Sequence, residues 1–365
     1  MPPHSQAAPS PASSHVLVPF AVCEDPASRQ ALRQLDLPNL DALLQSLLPQ
    51  GVLSIPPQSP TLAHERLWAS AHQLNPLTPA WAAWHAQRSG LDPLGQWAWA
   101  WITPCYWQVA QAQVTLSDPN ELKLSAPELQ ALLVSMQPYF AEDGIELVQV
   151  QHPTKLPPPL LPQMPTPVPA SWLAKGEVFR SSDVFSSTYV SLERALDQDL
   201  TPWMPAHPTL RRLQNEMQML LYTHPVNEAR SQARRPTVNS FWISGAGALD
   251  GTSSSNPSST SSSMQYAQDL SRPALQGELQ GDWQAWGEAW RALDAQTLAP
   301  LLAKVRSAQA GASEPHAPHR QISLTLCSAF KSNTFSSGNV SAWSRFKRVF
   351  QPSATVRRHA FMEQL

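Results

Sequence analysis

The polar residues best suited to chemistry lie between the end of one predicted helix and the end of the strand that follows it. They are His224, Asn227, Arg230, Asn239, Gly245 and Gly247. Asn227 and Arg230 are three residues apart and share a face if a short helix begins there. Arginine presents a planar fork of N–H donors that fits phosphate or carboxylate. The two glycines let backbone N–H groups approach an anion closely.

This pattern predicts an anion-binding site for a phosphorylated or carboxylated small molecule. A structural interpretation stays open, in which Asn227 caps a helix, Arg230 forms a surface ion pair, and the glycines only end the strand. We assign no catalytic residue and no metal ligand, and we expect no cofactor.

Other reactive side chains are weaker candidates. The cysteines lie far apart without metal-ligand spacing, and they are Cys23, Cys105 and Cys327. Cys105 has no paired base in the sequence and is interpreted as a buried thiol. Glu142 and Asp143 are interpreted as a turn rather than an acid–base pair. The eleven histidines are scattered, so no metal constellation is visible.

The composition excludes several classes of function. The chain of 365 residues has a formal net charge of −2 and only 14% charged residues, which argues against a global field for nucleic acid or membrane surfaces. No apolar run approaches the roughly 18 residues of a membrane span, and we expect a reduced, cytoplasmic protein. A basic excess occurs only near the end, at Lys331, Arg345, Lys347, Arg348, Arg357 and Arg358. This tail is expected to make at most weak contacts with anions such as nucleic acid.

Hydrophobic periodicity predicts alternating strands and helices. The predicted strands cover residues 15–22, 97–107, 113–116, 145–150, 172–179, 238–244 and 322–327. The predicted helices include 125–139, which opens with a capping box from Ser125 to Glu128, and 208–222. Two tryptophan rows, Trp97/Trp99/Trp101 and Trp283/Trp286/Trp290, are expected to be core. These elements predict a layered α/β fold with a mixed sheet and helices.

The domain prediction is a disordered tail over 1–14, one α/β domain over 15–330 and a flexible basic tail over 331–365. Within the domain, a proline-rich connection over 153–169 and a serine-rich loop over 251–263 are expected to be exposed.

Residues 222–247 resemble a motif of archaeal-type cofactor-independent phosphoglycerate mutases. The shared pattern is His224-Pro-Val-Asn-x-x-Arg230, a spacer, and Asn239 followed by Gly245-Ala-Gly247. The resemblance implies a degenerate fold of the alkaline-phosphatase and phosphoglycerate-mutase type. In that family a two-metal site of Asp and His residues surrounds a serine nucleophile, with an Asp-Gly pair after the first strand. Here Cys23, Glu24 and Asp25 follow that strand without a glycine.

A wider resemblance, over most of residues 15–330, is to RpfE-type regulatory proteins of proteobacteria. Three segments carry it: Ile102-Thr-Pro-Cys-Tyr-Trp-Gln108, Gln137-Pro-Tyr-Phe-Ala-Glu-Asp-Gly144 and 213–227. It implies a non-catalytic regulatory or metabolite-binding protein, and enzyme activity is not the favoured interpretation. The alternatives are an active metal-dependent mutase-like phosphotransferase and a scaffold that presents residues 153–169 and the basic tail to a protein partner.

Overall fold

A computed structural model describes most of the chain. It covers residues 14–110, 113–149, 170–180, 188, 190–249, 264–267, 281–311, 321–337 and 354–365, with the single positions 270, 274 and 277. Residues 1–13 of the predicted tail 1–14, the proline-rich connection 153–169 and the serine-rich loop 251–263 lie outside these residues. Within the described ranges, no helix is long and apolar enough to cross a membrane.

The described elements alternate along the chain, which confirms the predicted mixed α/β class. The strands are β1 Ser14–Val18, β2 Leu48–Ser54, β3 Ala98–Cys105, β4 Trp107–Ala110, β5 Gln113–Leu116, β6 Glu146–Gln149, β7 Trp172–Lys175, β8 Ser240–Ala248, β9 Met264–Tyr266, β10 Ile322–Cys327 and β11 Lys331–Ser336. The helices are α1 Pro26–Gln34, α2 Pro38–Ser46, α3 Ala63–Ala71, α4 Trp81–Arg88, α5 Ala126–Glu142, α6 Leu192–Ala195, α7 Pro208–Tyr222, α8 Pro225–Gln232, α9 Gln284–Leu293, α10 Ala299–Gly311 and α11 Ala354–Gln364.

The chain divides into two compact units rather than the single domain predicted over 15–330. The first unit combines residues 1–57 with 261–365, and the second is the continuous stretch 58–260. The second unit is therefore inserted in the sequence of the first.

The first unit contains a five-stranded mixed sheet with the order β2-β11-β10-β1-β9. Strand β1 pairs in parallel with both β10 and β9, whereas β11 runs antiparallel to β10 and β2. The predicted strands at 15–22 and 322–327 are thus neighbours at the centre of the sheet. The predicted tryptophan row of α9 is core, as expected, since Trp283, Trp286 and Trp290 are all buried.

The beginning of the predicted flexible tail is part of this sheet, which corrects the boundary at residue 331. Strand β11 pairs with two neighbours, so its backbone donors and acceptors are used on both sides. Helix α11 follows the undescribed residues 338–353, and in it Arg358 is buried with Nε 3.5 Å from Asp41 Oδ1. The basic excess alone did not indicate this pairing.

Helix α2 is capped by a residue that is far away in the sequence. Leu37, which precedes the helix, makes no side-chain cap. Instead the carboxylate of buried Asp294 accepts the backbone N–H of Leu40 at 2.7 Å and that of Asn39 at 3.2 Å. Asp294 thereby satisfies two N–H groups that the helix itself leaves unpaired.

Replacing Asp294 is expected to destabilise the first unit. Asp294→Ala leaves one buried and one part-buried donor of α2 without this acceptor and should lower the free energy of unfolding by about 1–3 kcal/mol. The matched control is Asp36→Ala, which removes an exposed carboxylate just before the same helix. Urea denaturation measures both, and equal effects of the two substitutions would contradict the capping role.

The second unit is built on a four-stranded antiparallel sheet with the order β6-β7-β3-β8. Ala98, Ala100 and Ile102 of β3 pack into one hydrophobic cluster with residues of α5 and α7. On the other side of β3, the ring of Trp101 contacts that of His85 in α4, with centroids 5.0 Å apart. Helices therefore cover both faces of this sheet.

Two of the three tryptophans predicted as a core stripe are buried. Trp99 and Trp101 are 3% and 4% exposed, and the indole N–H of Trp99 donates to Asp92 at 3.1 Å. Trp97 precedes the strand, is 46% exposed and carries Lys175 over its ring at 5.2 Å. The core prediction is therefore wrong for Trp97, because the sheet begins one residue later.

Candidate functional site

His224 begins α8 and joins it to α5. Its Nδ1 accepts the backbone N–H of Val226 at 3.2 Å, so in the neutral ring Nε2 carries the proton. This Nε2 lies 2.9 Å from the hydroxyl oxygen of Ser135. Burial lowers the pKa of His224, which favours the neutral ring that these two bonds require.

The side-chain amides of Asn227 and Asn239 each accept from and donate to backbone groups. Asn227 accepts the N–H of Val238 at 2.8 Å and donates to the carbonyls of Val238 and Leu221. Asn239 accepts the N–H of Trp107 at 2.7 Å and donates to the Trp107 carbonyl at 2.8 Å. Each amide thus pairs with backbone donors and acceptors, and its polar atoms are occupied.

Arg230 is fully buried and bonds in three directions. Its Nε donates to the Pro236 carbonyl at 2.6 Å, and its Nη1 donates to Glu128 Oε1 at 2.9 Å. Its Nη2 donates to the Leu122 carbonyl. The guanidinium therefore lies inside the protein, where it binds a carboxylate and two backbone carbonyls.

Gly245 and Gly247 are required by close packing. Gly245 has φ of 58°, and a Cβ there would lie 3.1 Å from Trp81 Cβ. A Cβ at Gly247, where φ is 147°, would lie 2.8 Å from Ala80 Cβ. The start of α4 therefore packs so closely against these two glycines that a side chain would not fit there.

The structure brings His224, Asn227 and Arg230 together beside the chain that leads to Asn239, but it separates them from Gly245 and Gly247. Asn239 precedes β8 and Gly245 lies six positions further along the chain, which at about 3.3 Å per strand residue places them roughly 20 Å apart. Arg230 lies near Asn239, not near Gly245. The six residues therefore do not converge on one point, and ligand binding by them stays a prediction.

The weaker candidates from the sequence, Cys105 and Asp143, lie in surroundings that give them a structural role. Burial raises the pKa of the Cys105 thiol well above its usual value, in line with its interpretation as an inert buried thiol. Asp143 ends α5 and accepts a bond from Arg212 Nη2 at 2.5 Å. Among the side chains that the structure describes, no group of three His, Cys, Asp or Glu could hold a metal ion.

A different polar cluster, which the sequence analysis missed, surrounds the start of α3. Two arginines direct donors at Ser59: Arg66 Nη2 bonds its hydroxyl oxygen, and Arg194 Nε bonds its carbonyl oxygen at 3.0 Å. Arg66 Nε also donates to Thr61 Oγ1 at 2.8 Å. The guanidinium of Arg194 lies 4.5 Å over the ring of Trp203. We call Ser59, Thr61, Arg66 and Arg194 the arginine cluster.

Three further ionisable groups lie beside the arginine cluster. His64 is fully buried, with Nε2 3.3 Å from Glu193 Oε2. Glu65 Oε2 accepts the Leu62 N–H at 2.6 Å, and burial raises the pKa of this carboxyl. Burial also lowers the pKa values of Arg66 and Arg194, which Glu65 opposes by Coulomb attraction. Buried groups with shifted pKa values concentrate at functional sites.

The sequence contains one signal for this cluster. A Glu-Arg pair occurs twice just after Ser or Thr residues, at Glu65-Arg66 and at Glu193-Arg194. The two pairs are more than a hundred residues apart in the chain, and only the tertiary fold makes Ser59 their common partner.

Comparisons with known proteins find distant structural likeness. No protein-family model matches the chain, and no curated protein matches it. The PH0037 protein of Pyrococcus horikoshii is 11% identical with a TM-score of 0.41, over 91% of this chain and 89% of that one. A cofactor-independent phosphoglycerate mutase of Thermoplasma acidophilum is 12% identical with a TM-score of 0.35, over 96% of this chain and 99% of that one. Likeness at this level carries no information about activity.

The structural role of Arg230 predicts a large loss of stability when it is truncated. Arg230→Ala leaves Glu128 and two carbonyls without their buried partner and should lower the free energy of unfolding by about 3–5 kcal/mol. Arg235 bonds the same Glu128 oxygen at 2.7 Å but is 48% exposed, so Arg235→Ala should cost less than about 1 kcal/mol. Chemical denaturation of the two variants tests this difference, and a wild-type-like melting curve for Arg230→Ala would refute it.

The low pKa of Glu128 predicts a contribution to stability that is lost in acid. Partial burial acts to raise its pKa, but hydrogen bonds from Ser125 and Arg230 outweigh burial and lower the pKa to about 2. Because an unfolded glutamate titrates near pH 4.3, this contribution is complete above about that pH and is lost as the pH falls toward 2. Glu128→Gln should therefore show a shallower decline of unfolding free energy over this window. Identical declines in wild type and variant would show that Glu128 is not the group responsible.

Proposed function

We propose that the protein binds a small phosphorylated or carboxylated molecule at the arginine cluster, as a regulatory or metabolite-binding protein rather than an enzyme. The observation that carries the proposal is the convergence of Arg66 and Arg194 on Ser59. Two guanidiniums beside hydroxyl donors form the kind of arrangement that binds oxyanions with charge-assisted hydrogen bonds.

Arg66 supplies the accessible part of this arrangement. It is partly exposed, and its bonds to Ser59 and Thr61 use only Nε and one N–H of Nη2. A guanidinium has five N–H donors, and the others of Arg66 have no partner in the described part of the chain. Arg194 is buried and contacts the Ser59 carbonyl and the Trp203 ring. One arginine is thus positioned to meet a ligand and the other to add positive charge.

The neighbouring acidic residues, Glu65 and Glu193, do not simply neutralise the positive charges of Arg66 and Arg194. Glu65 lies close enough to interact with both arginines, but burial raises its pKa and so favours uptake of a proton. Glu193 approaches His64 instead. An anion next to Arg66 would therefore compete with a carboxyl that is already costly to ionise.

The non-catalytic part of the proposal is supported by the sequence after β1. Cys23, Glu24 and Asp25 stand where the mutase resemblance would require an Asp-Gly pair. The chain also contains no Asp-His dipeptide. A binding protein needs the anion contacts alone and can lack these groups.

Calorimetric titration with inorganic phosphate at constant pH tests the proposal. Arg66→Ala should weaken phosphate binding about 10- to 100-fold, as expected for the loss of charge-assisted hydrogen bonds. The affinity of Arg66→Lys for phosphate should fall between those of wild type and Arg66→Ala, because lysine keeps the charge but not the planar fork.

The control is Arg211→Ala, which removes an exposed arginine of the same unit. It should leave phosphate binding within twofold of wild type. No binding to wild type, or equal binding by wild type and Arg66→Ala, would overturn the proposed function.

A further inference from the structure

A small cavity in the second unit lies next to the arginine cluster. It is lined by Thr188, Trp203, Pro205, Gln214, Trp242 and Ile243. Trp203 belongs to both places, since its ring lines the cavity and also carries the guanidinium of Arg194 at 4.5 Å. A side chain of the cavity also approaches the arginine cluster, because Trp242 Nε1 donates to the Val190 carbonyl at 3.0 Å, just before α6 and Arg194.

Gln214, which lines this cavity, has an unused side-chain acceptor. Its side chain is 3% exposed, and its Nε2 donates to the Phe241 carbonyl at a long 3.4 Å. Its Oε1 is buried and accepts no hydrogen bond from any residue that the structure describes. A buried acceptor without a donor is destabilising, so a donor that reaches it is bound favourably.

The cavity walls restrict which donor can enter. The indole N–H of Trp242 is already used, so Trp242 offers the cavity no donor of its own. The space is about the size of one water molecule. A cation there would be repelled by Arg194, which lies on the Trp203 ring. A hydroxyl group satisfies all three conditions, because it is small, uncharged and a strong donor.

We infer that Gln214 is a specificity-determining residue, whose Oε1 accepts a hydrogen bond from a hydroxyl group of the anion bound at the arginine cluster. The inference rests on the proposed function and narrows it to hydroxylated anions. A ligand of the same shape without the hydroxyl leaves Oε1 buried and unpaired. Sites built in this way reject the analogue more strongly than apolar pockets do.

Two three-carbon phosphates test this inference in the wild-type chain. Glycerol 3-phosphate carries hydroxyl groups and n-propyl phosphate does not, while the phosphate group is common to both. Wild type should bind glycerol 3-phosphate about 10-fold more tightly than propyl phosphate. Equal affinity would overturn the inference without any variant being needed.

Gln214→Met removes the acceptor at nearly constant side-chain volume and should abolish the preference while retaining binding of propyl phosphate. Gln218→Met is the matched control, one turn along the same helix, and should keep the preference. A preference that persists in Gln214→Met would overturn the role of Gln214.

Failure of the inference is distinguishable from failure of the proposed function. If both phosphates bind equally and Arg66→Ala weakens both, the arginine cluster stands and only the hydroxyl subsite is wrong. If neither phosphate binds to wild type, both are wrong.

Discussion

The ion pair between the buried Arg230 and the partly buried Glu128 ties together the framework of the second unit. One guanidinium joins three separate parts of the chain: the start of α5 through Glu128, the turn at Leu122 and the connection before β8 at Pro236. Glu128 is itself held by Ser125, whose backbone N–H it accepts at 2.8 Å. A charge buried at this point is tolerable only because each of these partners is in place.

This pairing explains why residues that look like a ligand site are part of the framework. The side chains of arginine and asparagine carry N–H donors that can bind anions. The same donors can also bond backbone carbonyls that lie outside helices and strands, as between α8 and β8. Asn227 and Arg230 satisfy those carbonyls. Gly245 and Gly247 serve a separate purpose some distance away, where they allow α4 to approach β8. A cluster in sequence is therefore not a cluster in space once a strand separates its members.

The sequence predicts elements whose signals are local. The capping box at Ser125 and Glu128 begins α5 as expected, and the apolar spacing of 208–222 coincides with α7. Strand β2 was missed because Pro49 and Gly51 resemble a turn and nearly all of the strand is exposed, so only its pairing with β11 defines it. The same limit applies to the arginine cluster, since Ser59 and Arg194 lie 135 residues apart and local patterns cannot join them.

Diffraction from crystals soaked in selenate, an oxyanion whose selenium scatters anomalously, measures the position of the anion directly. Binding at the arginine cluster predicts an anomalous peak within hydrogen-bonding distance of Arg66 and close to Ser59. A peak beside Arg230 and Asn227, or beside Gly245, would contradict it and restore the site that the sequence alone indicates.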